Sequence, residues 1–137
     1  MEAIKINVMK KLNFAGFTIV MCVAVSCRSS ATSTLEVNLF EKTLSQTPNP
    51  QLIDVRTPQE YGEGHLPGAI LMNVRDAGFD SLIRTLDKTR PVFVYCRTGK
   101  RSLEAATVLE KHQFKAVYNL EGGIVAWKNK GKTVISD

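Results

Sequence analysis

The sequence predicts an α/β domain, a central and mainly parallel sheet with helices on both faces. Two observations carry that expectation. Short apolar or β-branched runs alternate with segments bearing helical caps or helical apolar spacing through residues 35–137. One of these runs, Val92–Tyr95, leads through a short loop into a long amphipathic stretch. Strand and helix in alternation at this spacing point to parallel strands covered by helices. No internal repeat is visible.

Ahead of that domain, Lys5, Lys10 and Lys11 precede a nearly uncharged run over residues 12–25, and Ser26-Cys27 closes it. A basic start and an apolar run of about 14 residues, against the ~20 that a membrane span needs, make a secretory signal over residues 1–26. Met9-Lys10-Lys11 would be the more usual start of such a segment. Ala24-Val25-Ser26-Cys27 resembles the lipobox of bacterial lipoproteins, in which the cysteine is acylated and becomes the mature N-terminus. Cys27 is therefore the expected lipidation site, although Ala24 stands where leucine is commonest and leaves ordinary signal-peptidase cleavage as the alternative. The implied location is exported, periplasmic or cell-envelope, with the chain lipid-anchored to a bacterial membrane. Residues 27–34, small and polar, read as a tether.

Within the domain each element has a local reason. Asn38 with Glu41 is expected to cap a helix reaching about Gln46, and residues 51–55 read as a strand after Pro48-Asn49-Pro50. Thr57-Pro58-Gln59-Glu60 is a capping box with proline at the first helical position, opening a short helix to Tyr61. A loop over residues 62–68 leads to a strand at 69–73 and a helix at 79–86. Val92–Tyr95 follows Pro91 as a buried strand. Residues 102–112 form a helix with Leu103, Ala106, Val108 and Leu109 largely to one side. A last strand is expected at 116–119, and Gly122-Gly123 turns the chain into a final helix over residues 124–130.

Composition excludes several classes. Cleavage before Cys27 leaves 111 residues (137 less 26), enough for one domain with a modest core. The removed segment holds three Lys and one Glu, so the mature balance is 15 basic to 12 acidic residues, a net of +3, and the high pI belongs partly to the signal. No basic run interleaves with aromatics, which argues against nucleic-acid binding. Cys96 is the one cysteine of the mature domain, so no intramolecular disulfide can form there. With only His65 and His112 beside it, no structural metal is expected and no cofactor is implied.

Cys96 closes the Val92–Tyr95 strand and opens the stretch Arg97-Thr98-Gly99-Lys100-Arg101-Ser102 before a helix. Backbone N–H groups of the loop, the positive end of the helix and the cations of Arg97, Lys100 and Arg101 all favour the thiolate. A core cysteine would not call for three basic neighbours and a glycine. Ligands in open α/β sheets gather at the C-terminal ends of strands, where Cys96 is placed. Thr98 and Ser102 add hydroxyl donors, Ser102 alternatively serving only as the helix cap, and Gly99 meets a backbone requirement of the loop. Asp54 and Arg56, at the end of a neighbouring strand, are expected to support the site, with Arg56 pairing Glu60 four residues on. His65 reads as a turn-fixing histidine rather than a base, and Trp127 as a packing residue.

With these residues in place, the chain resembles the single-domain rhodanese (sulfurtransferase) family over about residues 35–133. The matching pieces are Leu52-Ile53-Asp54-Val55-Arg56 with Glu60-Tyr61, Gly64-His65-Leu66-Pro67-Gly68-Ala69, the loop 96–102, and Leu120-Glu121-Gly122-Gly123 with Trp127. The resemblance implies a rhodanese-like α/β fold and a catalytic Cys96 that carries a sulfane sulfur as a persulfide. It also implies a small sulfur-donor anion and a thiol or cyanide acceptor as partners. Arg97, Lys100 and Arg101 would then bind the donor, and a loop this basic favours thiosulfate over 3-mercaptopyruvate. Cysteine phosphatases and arsenate reductases share a thiolate loop before a helix, but their Cys-x5-Arg places arginine where Ser102 stands here. A non-catalytic binding module is the other alternative, against which the intact cysteine and basic loop count.

Overall fold

The computed structural model describes residues 31–136, so the expected signal segment, Cys27 and tether residues 28–30 lie outside the described residues. Ten elements alternate along the chain: β1 (Thr32–Leu35), α1 (Val37–Gln46), β2 (Gln51–Asp54), α2 (Pro58–Gly62), β3 (Ile70–Leu71), α3 (Phe79–Ile83), β4 (Val92–Tyr95), α4 (Lys100–Lys111), β5 (Val117–Leu120) and α5 (Gly123–Asn129). The five strands form one sheet in the order β1-β5-β4-β2-β3, and every pairing is parallel.

Period-two side-chain alternation explains why both faces need helices. From β4, Val92 and Val94 join Ile53 and the α4 residues Ala105, Ala106 and Leu109 with Phe79 and Ile83 of α3. Phe93 and Tyr95 point the other way and pack with Phe40 of α1 and Ile124 and Trp127 of α5. Phe40 meets both Phe93 and Trp127 edge-on, at centroid distances of 5.4 and 6.5 Å. All four residues of β2 and of β4 are buried, as central parallel strands require.

Several expectations need correction. Residues 32–34, read as tether, form the edge strand β1 in register with β5, and the Thr32 N–H and hydroxyl both donate to Glu110 of α4. Polar on both faces, Thr32-Ser33-Thr34 carries none of the apolar alternation by which a strand is recognised. The cap of α1 is Glu36, whose carboxylate accepts from the Asn38 and Leu39 N–H groups, rather than Asn38. Helix α4 starts at Lys100, two residues earlier than expected, because Gly99 at φ 103° makes the turn without a side-chain cap. The helix expected over 79–86 ends at Ile83, although Leu86 still packs on the same core.

Candidate active site

Two polar contacts position the Cys96 sulfur. Its Sγ accepts from the Gly99 N–H at 3.0 Å and from the Ser102 hydroxyl at 3.3 Å, the same hydroxyl also facing the Gly99 carbonyl at 3.0 Å. Ser102 is therefore a donor within the first turn of α4 and not its cap. Cys96 is 1% exposed. Burial pushes its thiol upward, but the Ser102 hydroxyl and the N–H groups of Ser102, Gly99 and Thr98 outweigh that, and the pKa falls below its ordinary value. The leading influences are burial and hydrogen bonds, with no side-chain cation among them.

The loop is held from behind by α5. The Ile124 N–H donates to the Cys96 carbonyl at 2.9 Å and the Val125 N–H to the Arg97 carbonyl at 3.2 Å. Gly123, at φ 60°, lets these elements approach, since a Cβ there would collide with both carbonyls. This backing is the reason for Gly123, whereas Gly122, at φ 70°, caps α5, and a Cβ there would meet the Ala126 side chain.

The basic residues separate into two kinds. Arg97 and Lys100 are exposed and make no ion pair among the described residues. Arg101 is instead clamped by Glu60, Nη1 to Oε2 at 2.8 Å and Nη2 to Oε1 at 2.7 Å. Thr98 is exposed and Gly99 buried. The Arg101 side chain, followed by the Thr57 cap, lowers the Glu60 carboxyl to about 2 against the opposing effect of burial.

Asp54 and Arg56 meet beneath the loop, but Arg56 does not pair with Glu60 as expected. Its Nε and Nη2 donate to Asp54 at 2.9 and 2.6 Å, and Nη2 also reaches the Gly64 carbonyl at 2.8 Å. Glu60 is taken by Arg101 because α2 aims it at α4. Tyr95 extends the buried network, donating to Asp54 at 2.7 Å and accepting from the Leu66 N–H at 3.0 Å. His65 is buried, stacked on Tyr61 at 3.7 Å, with Nδ1 3.1 Å from the Tyr61 carbonyl. That is the turn-fixing placement. Trp127 donates to the Thr133 carbonyl at 2.9 Å and packs on the sheet.

A cavity of about 400 Å³ lies beside the loop, walled by Thr34, Thr98, Gly99, Lys100, Asn119 and Glu121 among others. The sulfur itself does not line it. Chemically, the site offers a thiolate in a cradle of N–H and O–H donors, with two free cations beside it. That suits nucleophilic attack on an anionic sulfur compound and stabilisation of the charged product.

Known proteins share the sequence pattern and the fold of this domain. The Rhodanese-like domain family model matches residues 36–130. A protein named sulfurtransferase from Allochromatium vinosum is 33% identical over 93 residues, covering 68% of this chain and 85% of that protein. The provisionally named sulfurtransferase YtwF of Bacillus subtilis is 38% identical over 81 residues, covering 59% and 76%. Among solved structures, the rhodanese-like domain protein of Staphylococcus aureus superposes with a TM-score of 0.66 at 26% identity, covering 77% of this chain and 98% of that one.

Proposed function

The chain belongs to the rhodanese-like domain family, and from that premise we propose that it moves a sulfane sulfur from thiosulfate or a related persulfide donor to a thiol or cyanide through Cys96. The observation that carries this reading is the sulfur itself, held by the Gly99 N–H and the Ser102 hydroxyl with its pKa lowered. In the first step the Cys96 thiolate attacks the outer sulfur of thiosulfate. A new S–S bond forms, the donor's S–S bond breaks, and its electron pair leaves on sulfite. The loop N–H groups that hold the thiolate are oriented to hold the Cys–S–S⁻ charge as well. A thiolate or cyanide then attacks the outer sulfur and restores the Cys96 thiolate, giving two half-reactions with ping-pong kinetics.

Incubation with thiosulfate should add the mass of one sulfur atom to Cys96 and cyanide should remove it. Cys96→Ser should reduce thiosulfate cyanolysis to background with the fold intact. Appreciable activity in that variant would dispose of the nucleophile assignment. No persulfide on the unaltered chain would favour a binding module instead.

The attachment read from the N-terminal sequence is part of the same proposal. Its support is the basic start, the short apolar run and Ser26-Cys27. Cys27→Ala should block lipid labelling in a bacterial host and change the partition between membrane and soluble fractions. Unchanged partition would mean that another anchor operates.

A further inference from the structure

Glu60 serves two elements at once. Its Oε2 accepts from the Thr57 N–H and hydroxyl, both at 3.0 Å, closing the capping box of α2. The same carboxylate holds both terminal nitrogens of Arg101. Arg101 stands in the first turn of α4 immediately before Ser102, and the Cys96 thiolate is one of the charges acting on it. Three cations thus surround the sulfur in sequence, yet one of them is already neutralised. The charged or titratable groups facing this region are Arg97, Lys100 and Arg101 from the loop and α4, Asp54, Arg56 and Tyr95 from β2, β4 and the segment after β2, Glu60 from α2, and Glu121 after β5, across the cavity beside Lys100. From α5, Gly123 and Ile124 contribute none.

We propose that Glu60 sets the charge of the site and so selects the class of sulfur donor. With Arg101 in its ion pair, the loop and the first turn of α4 keep two side-chain cations without an ion pair among the described residues, Arg97 and Lys100, in place of three. Withdrawing one cation costs dianionic thiosulfate about twice the attraction that it costs a monoanionic persulfide, R–S–S⁻, so the pair tilts the site toward the persulfide. Donation from the persulfide balances without oxidant or reductant. Cys96 sulfur bonds to the outer sulfur, the donor S–S bond breaks, and R–S⁻ leaves with the pair and takes a proton from water. The inference rests on the sulfurtransferase reading and narrows its donor.

Glu60→Gln tests it, because glutamine still accepts from Thr57 in a capping box but carries no charge. The full-length protein is measured in two ways, by the pH profile of Cys96 alkylation with neutral iodoacetamide and by KM for thiosulfate against 2-hydroxyethyl persulfide. A freed Arg101 should move the alkylation midpoint to lower pH. It should also lower thiosulfate KM by roughly threefold or more, the scale of one partly screened charge pair, with less change for the persulfide. Glu60→Asp should return both toward the unaltered values. Arg101→Gln, which leaves Glu60 unpaired, should shift both in the opposite direction and covers the case in which Glu60→Gln does not fold. Loss of thermal stability with the alkylation profile and the KM ratio both unmoved would reduce Glu60 to a staple and overturn the proposal. Absence of sulfur transfer by the unaltered chain would sink the sulfurtransferase reading alone, since the alkylation profile reads the effect of Glu60 without any donor.

Discussion

At Cys96, burial and hydrogen bonding push the thiol in opposite directions, and the donors win: the Ser102 hydroxyl and the Gly99 N–H contact the sulfur, and the N–H groups of Ser102 and Thr98 add to their effect. The cations expected to activate it have other positions: Arg97 and Lys100 face solvent, and Arg101 faces Glu60. Activation and donor binding therefore separate by residue. Ser102→Ala removes the largest influence favouring the thiolate, so the alkylation midpoint of Cys96 should rise, because a lost donor to the charged form raises an acid's pKa. Arg97→Ala/Lys100→Ala should leave that midpoint nearly unmoved and raise KM for an anionic donor strongly. A clearly raised midpoint in the double variant, with KM unaltered, would reverse the assignment. The sequence could place Cys96 and its basic neighbours, because a lone cysteine between a buried strand and a glycine-bearing loop is a local pattern. It could not tell a free cation from a paired one, since the partner of Arg101 lies 41 positions away.

Among the elements, α4 and α5 divide the work on the loop. The first turn of α4 faces the sulfur, and the first turn of α5 holds the carbonyls behind it. Gly123→Ala should force these apart. Overpacking of this kind costs about 1–3 kcal/mol, and the displaced carbonyls would carry the loop with them. The variant should show both a lower denaturant midpoint and slower persulfide formation. Gly62→Ala is the matched control, as a Cβ there meets nothing within 4 Å and the backbone is not left-handed. Equal loss of activity in the two variants would remove the backing role from α5. The central strands were legible because Leu52-Ile53 and Val92–Tyr95 are apolar on both faces, the mark of a parallel strand covered twice. Strand β1 was not, because its polar residues gain their place from Glu110 and from pairing with β5, both distant in sequence. The start of α4 was displaced for a similar reason, in that Gly99 caps by conformation and offers no side-chain signal.

For the molecule as a whole, one buried charge network joins parts that the sheet alone does not. Asp54 on β2 is 0% exposed and takes hydrogen bonds from Arg56 and from Tyr95 on β4. Arg56 and Tyr95 in turn hold Gly64 and Leu66 of the following loop, and His65 between them pairs through its backbone with Ile135 near the chain's end. Sheet, loop and C-terminal segment are thus tied at a point directly under the active loop. The magnitudes of the ties differ. Tyr95→Phe keeps the ring but strips one donor from Asp54 and one acceptor from the Leu66 N–H, a loss of about 1–3 kcal/mol. Arg56→Met leaves a buried carboxylate without its cation, for which ~3–5 kcal/mol is the usual cost. Against a total stability of about 5–15 kcal/mol, the second should lower the urea midpoint much further than the first at an unchanged m-value. Asp54→Leu combined with Arg56→Met removes both charges and should recover a substantial part of the loss, because most of the cost of the single change is the stranded carboxylate rather than the pair itself. A double variant no more stable than Arg56→Met would show instead that the network's value lies in the hydrogen bonds to Gly64 and Tyr95, which neither variant retains in full.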